Sequence, residues 1–197
     1  PDYLGNILDI ESIASVCKKH GVLLLVDNAH GSYLKFLDKS LHPIDLGADM
    51  CCDSAHKTLP VLTGGAYLHI SKNAPEYFGE NAVNALSLHA STSPSYLILQ
   101  SLDNANKILA DNPKYFDKTI DCLDTLKHKL AGAGYSLLGN EGLKLTLKTK
   151  PYGYTGEEVA EYLENRGIYV EFADKDFVTM MFSPCNSKRD FKKTEKA

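Results

Sequence analysis

The chain has 197 residues, of which 44% are hydrophobic and 23% are charged, and its formal net charge is -4 at pH 7. This composition suits one α/β domain, with or without a small second domain, and excludes a disordered or fibrous protein. Because the charges are spread along the whole length, no basic stripe indicates nucleic acid and no polybasic patch indicates a membrane surface. No apolar run approaches the roughly 20 residues that cross a bilayer, so a cytoplasmic location is expected.

The first part of the chain is predicted to form an open α/β sheet. DIESIASVCKKHG has the apolar spacing of a helix, with Asp9 as N-cap and Gly21 at its end. VLLLVD, an apolar run that ends in an acid, is typical of a strand buried on both faces of a parallel sheet. The next strand candidates are ADMCCDS and GGAYLHI. Tyr67 and His69 lie in the interior of the second of these strands, and we expect their side chains to have a packing role. This order of elements predicts a doubly wound or related sheet.

From Ser93 onwards the pattern becomes helical. SPSYLILQSLDNANKILAD opens with Ser93 as a predicted N-cap and Pro94 in the first turn, and a second long helix follows Pro113. The remainder, with GLKLTLKTK, TGEEVAEYLENRG, IYVEFA and FVTMMFSP, is typical of a small α+β unit. We therefore predict a domain over 1–112, a second with a bridging helix over 113–185, and a charged tail over 186–197. The Pro start and charged end indicate a piece of a longer protein.

Cysteine and histidine spacing indicates neither disulfides nor a metal site. The five cysteines are an odd number without a CxxC spacing, and Cys51 and Cys52 are adjacent, which in a strand points them to opposite faces. The seven histidines show no HExxH or other paired-ligand spacing. We expect no metal.

Two side chains follow predicted strands at the edge where open α/β sheets bind ligands. Asp27 ends the first strand, and Lys57 lies just beyond the next, with enough chain between them for one crossover connection. A half-buried lysine beside another cation, here His56, is a usable amine nucleophile. Pyridoxal phosphate needs such an amine, and a carboxylate for its ring nitrogen. By spacing alone, the usual explanation of these residues is a turn-forming or helix-capping Asp27 and a solvated Lys57.

Four motifs add a family resemblance. LLVDNAHGS, DSAHKTLPVLTGGA, STSPSY and RGIYVEFAD together resemble the bacterial ornithine/lysine/arginine decarboxylases, pyridoxal-phosphate enzymes with the aspartate-aminotransferase fold. The resemblance runs from Pro1 to about Pro184. It implies a partial aspartate-aminotransferase-like large domain with a mostly parallel sheet, a small α+β C-terminal domain, and a homodimer or higher homo-oligomer.

The resemblance implies roles for five residues of the first domain. Lys57 corresponds to the lysine that forms the internal aldimine, and Asp27 to the acid paired with the pyridine nitrogen. His30 would stand near the cofactor ring or its phenolic oxygen, and the alternative is a histidine that caps a turn. Ser54 and His56 would lie near the cofactor phosphate as hydrogen-bond donors, whereas an ordinary turn hydroxyl is the alternative for Ser54.

Two further stretches receive roles by resemblance. Ser91, Thr92 and Ser93 would lie at the dimer interface and contact the phosphate held by the neighbouring subunit, and a capped helix start is the alternative. Glu171 would lie toward the mouth of the active site and meet a basic substrate, and a solvated strand carboxylate is the alternative.

The implied activity is decarboxylation of lysine, arginine or ornithine to an amine and carbon dioxide, with pyridoxal 5'-phosphate as cofactor. Asn28 stands where the family commonly has an acid, and Gly64-Gly65 replaces a bulkier pair, so the resemblance does not carry a substrate preference. In the resembling proteins the phosphate-binding loop precedes the part that matches Pro1. Two alternatives stay open: an aminotransferase or aldolase-like reaction of the same cofactor, and a non-catalytic fragment that mediates domain packing or dimer formation.

Overall fold

The computed structural model describes residues 1–91 and 93–197, and it divides into two compact units. One unit is Asp9–Pro113, and the other combines Pro1–Leu8 with Lys114–Ala197. Thr92, a predicted phosphate contact, lies outside the described residues. Within the described ranges, no helix combines the length and apolar character that a membrane span requires.

The unit Asp9–Pro113 is built on a three-stranded sheet. Its strands are β1 (Leu25–Asp27), β2 (Met50–Asp53) and β3 (Tyr67–Ile70), in the order β1-β2-β3. The β1-β2 pairing is parallel and the β2-β3 pairing is antiparallel. The helices are α1 (Ile10–Lys19), α2 (Ala55–Thr58), α3 (Glu76–His89) and α4 (Tyr96–Asp111), with a 3-10 turn at Ser32–Phe36.

Helix α1 forms where the sequence predicts it. The Asp9 carboxylate accepts hydrogen bonds from the Ser12 backbone N–H at 3.0 Å and from its hydroxyl at 2.6 Å. Gly21 follows the helix with φ +63°, a conformation that glycine adopts without steric cost. The predicted N-cap is confirmed. Ile10 and Ala14, which lie on the predicted apolar face of the helix, are buried.

Strand β1 differs from its prediction. It lies at the edge of the described sheet, and the Leu25 side chain is 53% exposed. The prediction of a strand buried on both faces is therefore wrong, because the side chains of Leu25 and Asp27, on one face of β1, are exposed. Strand β2 alternates as expected: Cys51 and Asp53 are buried, whereas Cys52 is exposed.

The helices after β3 also depart from the predictions. Helix α3 was not predicted. None of its residues is buried, and its apolar side chains Val83 and Leu88 are 76% and 80% exposed. Helix α4 begins at Tyr96 with Ser95 in the N-cap position, so the predicted cap at Ser93 is wrong by two residues.

The second unit is an antiparallel sheet packed with helices. Its elements in chain order are α5 (Asp117–Gly132), β4 (Leu137–Leu138), β5 (Lys144–Lys148), α6 (Gly156–Glu164), β6 (Phe172–Ala173), β7 (Phe177–Met181) and α7 (Lys188–Lys196). The strand order is β4-β5-β7-β6. The helices and the sheet share one apolar core, which contains Leu123, Leu126, Leu145, Leu163, Val178, Met180, Phe182 and Phe191.

Residues Pro1–Leu8 belong to this second unit, whereas the predicted boundaries place them in the first domain. The Gly5 carbonyl accepts hydrogen bonds from the backbone N–H groups of Asn140 at 2.8 Å and Glu141 at 3.0 Å. The Thr146 hydroxyl donates to the Leu4 carbonyl at 2.9 Å. The start of the chain is therefore tied to residues more than 130 positions away.

The predicted charged tail is largely helical. Ser187 and Asp190 form a capping box at the start of α7, and the Phe191 ring stacks on Phe182 with 4.8 Å between centroids. Glu195 pairs with Lys129 of α5 at 2.8 Å. One aromatic residue thus anchors a segment whose other side chains are mostly charged.

Candidate functional site

Two predicted site residues meet beyond the carboxyl ends of β1 and β2. Lys57 is the third residue of α2, which starts directly after β2, and His30 lies in the turn after β1. The Lys57 Nζ atom is 3.1 Å from His30 Nε2. His30 is 4% exposed and Lys57 is half-buried. The contact follows from topology, because parallel neighbouring strands place their following loops at one edge.

Asp27 ends β1 on the exposed face of the sheet. It is in register with Cys52 of β2, and the Cys52 thiol lies 3.9 Å from Asp27 Oδ1. The same oxygen accepts the Ala29 N–H at 3.0 Å, which is a local turn bond. Asp27 therefore has the turn-forming role that was its alternative explanation, and its carboxylate also stays accessible for a ligand at this edge.

Ser54 and His56 flank Lys57 in sequence, and the structure gives each a local contact. Ser54 is at the N-cap position of α2, and its carbonyl accepts the Lys57 N–H at 3.0 Å. The His56 Nδ1–H donates to the Gly65 carbonyl at 3.0 Å, so Nε2 is the ring nitrogen left to face a ligand. A β-carbon at Gly65 would lie 2.3 Å from Val61 Cγ1, which explains a glycine in this position.

The structure gives only local contacts for the other predicted residues that it describes. Ser91 and Ser93 are exposed, and the Ser91 hydroxyl accepts the Ser93 N–H at 3.1 Å. Glu171 belongs to the second unit, where its side chain is exposed and its backbone N–H donates to the Thr179 carbonyl at 2.8 Å. The roles predicted for these residues stay predictions.

Sequence reasoning missed a buried carboxylate directly before the Ser54–Lys57 segment. Asp53, 3% exposed, accepts from Asn28 Nδ2 at 2.7 Å and lies 3.1 Å from Nε2 of both His42 and His69. Burial alone would raise the pKa of Asp53, but the hydrogen bonds from these three side chains outweigh burial and hold that pKa below its usual range.

The signal for this cluster was the alternation of MCCD, which places Asp53 on the same face as buried Cys51. His69, predicted to pack, donates to that carboxylate from β3, while the Tyr67 hydroxyl donates to the Leu102 carbonyl at 3.1 Å. One ligand atom each of His42, Cys51 and Asp53 lie within 4.8 Å of one another, so this cluster is also where a metal ion could sit.

The residues at the two strand ends fit pyridoxal phosphate by their chemistry. The site offers a half-buried amine on Lys57, an accessible carboxylate on Asp27 and a buried imidazole on His30 beside the amine. These are the groups that would hold the cofactor aldehyde carbon, its ring nitrogen and its ring substituents.

Comparison with known proteins gives the family of the chain. The family model described as Orn/Lys/Arg decarboxylase, major domain, matches residues 1–136. An arginine decarboxylase of Bacillus subtilis (strain 168) and the uncharacterized protein YaaO of the same strain are each 31% identical to the chain, with 96% of the chain and 41% of each relative covered. The chain thus spans about two fifths of the length of these relatives.

A solved structure shows the same fold. The constitutive lysine decarboxylase of E. coli superposes with a TM-score of 0.75 at 20% identity, over 98% of this chain and 34% of the other. With the family model covering more than two thirds of its residues, the chain belongs to the Orn/Lys/Arg decarboxylase family.

Proposed function

We propose that this chain carries the lysine-bearing part of a pyridoxal-phosphate-dependent decarboxylase that converts lysine, arginine or ornithine to the corresponding amine and carbon dioxide. The observation that carries the proposal is the 3.1 Å contact between Lys57 Nζ and His30 Nε2, in a chain of the decarboxylase family. The family is generally dependent on pyridoxal phosphate, and its relatives include arginine decarboxylases.

Each site residue has a distinct task in this proposal. The cofactor, when bound, supplies a sink for the electrons that remain when the substrate carboxylate leaves as carbon dioxide. Lys57 would hold the cofactor through its amine. The Asp27 carboxylate would favour a proton on the ring nitrogen of the cofactor. His30 orients the Lys57 amine, and the Ser54 hydroxyl offers a donor to the phosphate. His56 would offer a second donor from Nε2 in its imidazolium form, since Nδ1–H is bonded to the Gly65 carbonyl.

The proposal includes the substrate and the assembly. Glu171 is the proposed contact for the distal cation of the substrate, because a carboxylate is the complement of an ammonium or guanidinium group. A second copy of the chain is the proposed partner. In its support, α3 and α4 expose large apolar side chains, namely Leu88 at 80%, Tyr96 at 84% and Leu97 at 69%. A cytoplasmic location is part of the same proposal.

The test is chemical trapping on the full chain, followed by product analysis on the longest form of the protein. Incubation with pyridoxal phosphate and reduction with borohydride is expected to modify Lys57, identified by peptide mass spectrometry. Lys57→Ala should abolish the modification, while Lys72→Ala, which removes an exposed lysine of the same unit, should leave it unchanged.

Products then distinguish the reactions. Carbon dioxide released with a diamine or agmatine supports decarboxylation, and a keto acid or aldehyde without carbon dioxide indicates transamination or aldol-type cleavage instead. Modification spread over exposed lysines, with none concentrated at Lys57, would contradict the proposed cofactor site.

A further inference from the structure

The two loops that carry the candidate site are joined by one buried side chain. We propose that Asp53 is a positioning residue, which holds the His30 turn and the Lys57 helix in register with each other. This inference deepens the proposed function and rests on it, but Asp53 itself has no predicted contact with substrate or cofactor.

The first link runs from Asp53 to the turn after β1. Its Oδ1 atom accepts from Asn28 Nδ2 at 2.7 Å, and Asn28 is 2% exposed. The Asn28 N–H donates to the Cys52 carbonyl at 2.9 Å, and its own carbonyl accepts the Gly31 N–H at 2.8 Å. Asn28 is therefore held at its side chain, its N–H and its carbonyl, and the turn between Asn28 and Gly31 contains His30.

The second link fixes the orientation of the carboxylate. The other oxygen, Oδ2, lies 3.1 Å from Nε2 of both His42 and His69, whose rings make an edge contact at 5.0 Å between centroids. Rotation of the Asp53 side chain away from Asn28 would break these two bonds as well. Buried hydrogen bonds of this kind are costly to leave unmade, so the carboxylate stays aimed at Asn28.

The third link is covalent. Asp53 is the last residue of β2, and Ser54 and α2 follow it directly, so its backbone fixes the start of the helix that carries Lys57. Both partners of the 3.1 Å contact between Lys57 and His30 thus trace back to Asp53, one through Asn28 and one through the chain. Loss of the Asn28 link should displace His30 without removing any chemical group from the site.

A hydrogen-bonded network describes this cluster better than a metal centre. The His42 Nδ1 atom accepts the Ile44 N–H at 3.4 Å, so the ring proton is on Nε2, where it donates to Asp53. Without a metal ion, burial and the nearby Asp53 charge raise the pKa of the Cys51 thiol to about 12, so the sulfur and the His42 Nε2 atom both hold protons. A metal ion would have to displace both protons.

The experiment compares two variants that each remove one hydrogen bond to the same carboxylate. Asn28→Ala removes the link to the His30 turn. His69→Ala removes only one of the two imidazole bonds to Oδ2, and His42 still holds the carboxylate in its orientation. The first readout is the imidazole ¹⁵N spectrum of the full chain without cofactor. The second is the concentration of pyridoxal phosphate that gives half-maximal borohydride-trapped modification of Lys57.

Asn28→Ala is expected to shift the His30 ring resonances and to weaken cofactor attachment about fivefold, the equivalent of one hydrogen bond. His69→Ala should leave the His30 resonances in place and change attachment less than about twofold, at a similar loss of thermal stability. Asp53→Ala should match or exceed Asn28→Ala. Asp53→Asn should recover part of the loss, because the Asn28 amide can turn over and accept from the new amide.

Equal effects of Asn28→Ala and His69→Ala in both readouts would mean a general structural role and would overturn the inference. So would binding of one equivalent of Zn²⁺ that disappears in Cys51→Ser, because the cluster would then be a metal site. If the wild-type chain does not attach pyridoxal phosphate, the proposed function fails, and the His30 spectra of the cofactor-free variants still decide whether Asp53 positions the turn.

Discussion

The Lys57 amine and the His30 imidazole lie 3.1 Å apart although 27 positions separate them in the chain. Their contact depends on the parallel pairing of β1 and β2, which brings the Asp27–His30 turn and the start of α2 to one edge of the sheet. A half-buried amine against a buried imidazole is an arrangement that orients the amine nitrogen before any ligand arrives.

Replacement of His30 should therefore weaken cofactor attachment without removing the reactive amine. We expect His30→Leu to raise the half-maximal pyridoxal phosphate concentration for Lys57 modification about fivefold, because one hydrogen bond is lost. His30→Gln, which keeps an acceptor near Lys57, should lose less. The measurement is borohydride trapping with peptide mass spectrometry, and a His30→Leu variant that behaves like the wild type would show that the contact has no role in attachment.

The fold was partly predictable because its local signals are strong. The Asp9 cap, the apolar spacing of α1 and the strand-like run of β2 each depend on neighbouring residues, so sequence pattern reports them directly. Helix α3 was not predicted because the apolar residues of its sequence do not form one clear amphipathic stripe. In the structure, Val83 and Leu88 are exposed accordingly. The sequence did not predict that residues 1–8 belong to the second unit, because hydrogen bonds such as the one from Thr146 to Leu4 join residues 142 positions apart.

The candidate site likewise contains residues that the sequence predicted and one that it did not. Lys57 and His30 follow predicted strands, so their meeting was implied by a parallel sheet. Asp53 received no predicted role. Its importance depends on the register that sets His69 on the same face of the sheet, and on a loop that returns His42 to it. Neither relation is visible in the spacing of the residues.

A buried acid in the second unit should give the stability of the chain a pH dependence. Glu141 is 1% exposed, and its Oε2 atom lies 3.7 Å from Lys144 Nζ. Burial raises the pKa of Glu141 from 4.5 to about 7, although Lys144 opposes this shift. Because the folded state binds the proton more tightly than the unfolded state, stability is lost as pH rises from about 4.5 to about 7.

The loss should amount to about 3 kcal/mol for wild type relative to Glu141→Gln, which cannot ionise. Urea unfolding followed by circular dichroism at pH 5 and pH 8 measures it, and the difference between the two proteins cancels titration of the histidines. Glu161→Gln, at an exposed carboxylate of the same unit, is the control and should show a much smaller change. Parallel pH profiles for wild type and Glu141→Gln would contradict the assignment.

The apolar core of the second unit should be sensitive to cavities. Leu145 is fully buried in β5 and packs in the core with Leu123 and Val178. We expect Leu145→Ala to reduce the free energy of unfolding by about 2–5 kcal/mol, since the surrounding side chains relax only partly into the space. Tyr169→Ala, at a side chain that is 77% exposed, should cost less than about 1 kcal/mol in the same urea titration.

The exposed apolar residues of α3 and α4 lead to the prediction on assembly. A side chain such as Leu97, 69% exposed at the start of α4, is unfavourable in water unless another surface covers it, and the proposed cover is a second copy of the chain. Leu97→Glu should weaken self-association about tenfold or more, because a buried charge would replace apolar contact. Val16→Glu, at a side chain that is 59% exposed on α1, is the matched control and should not change the assembly. Sedimentation velocity over a range of concentrations measures both, and a wild-type chain that stays monomeric throughout that range would refute the proposed partner.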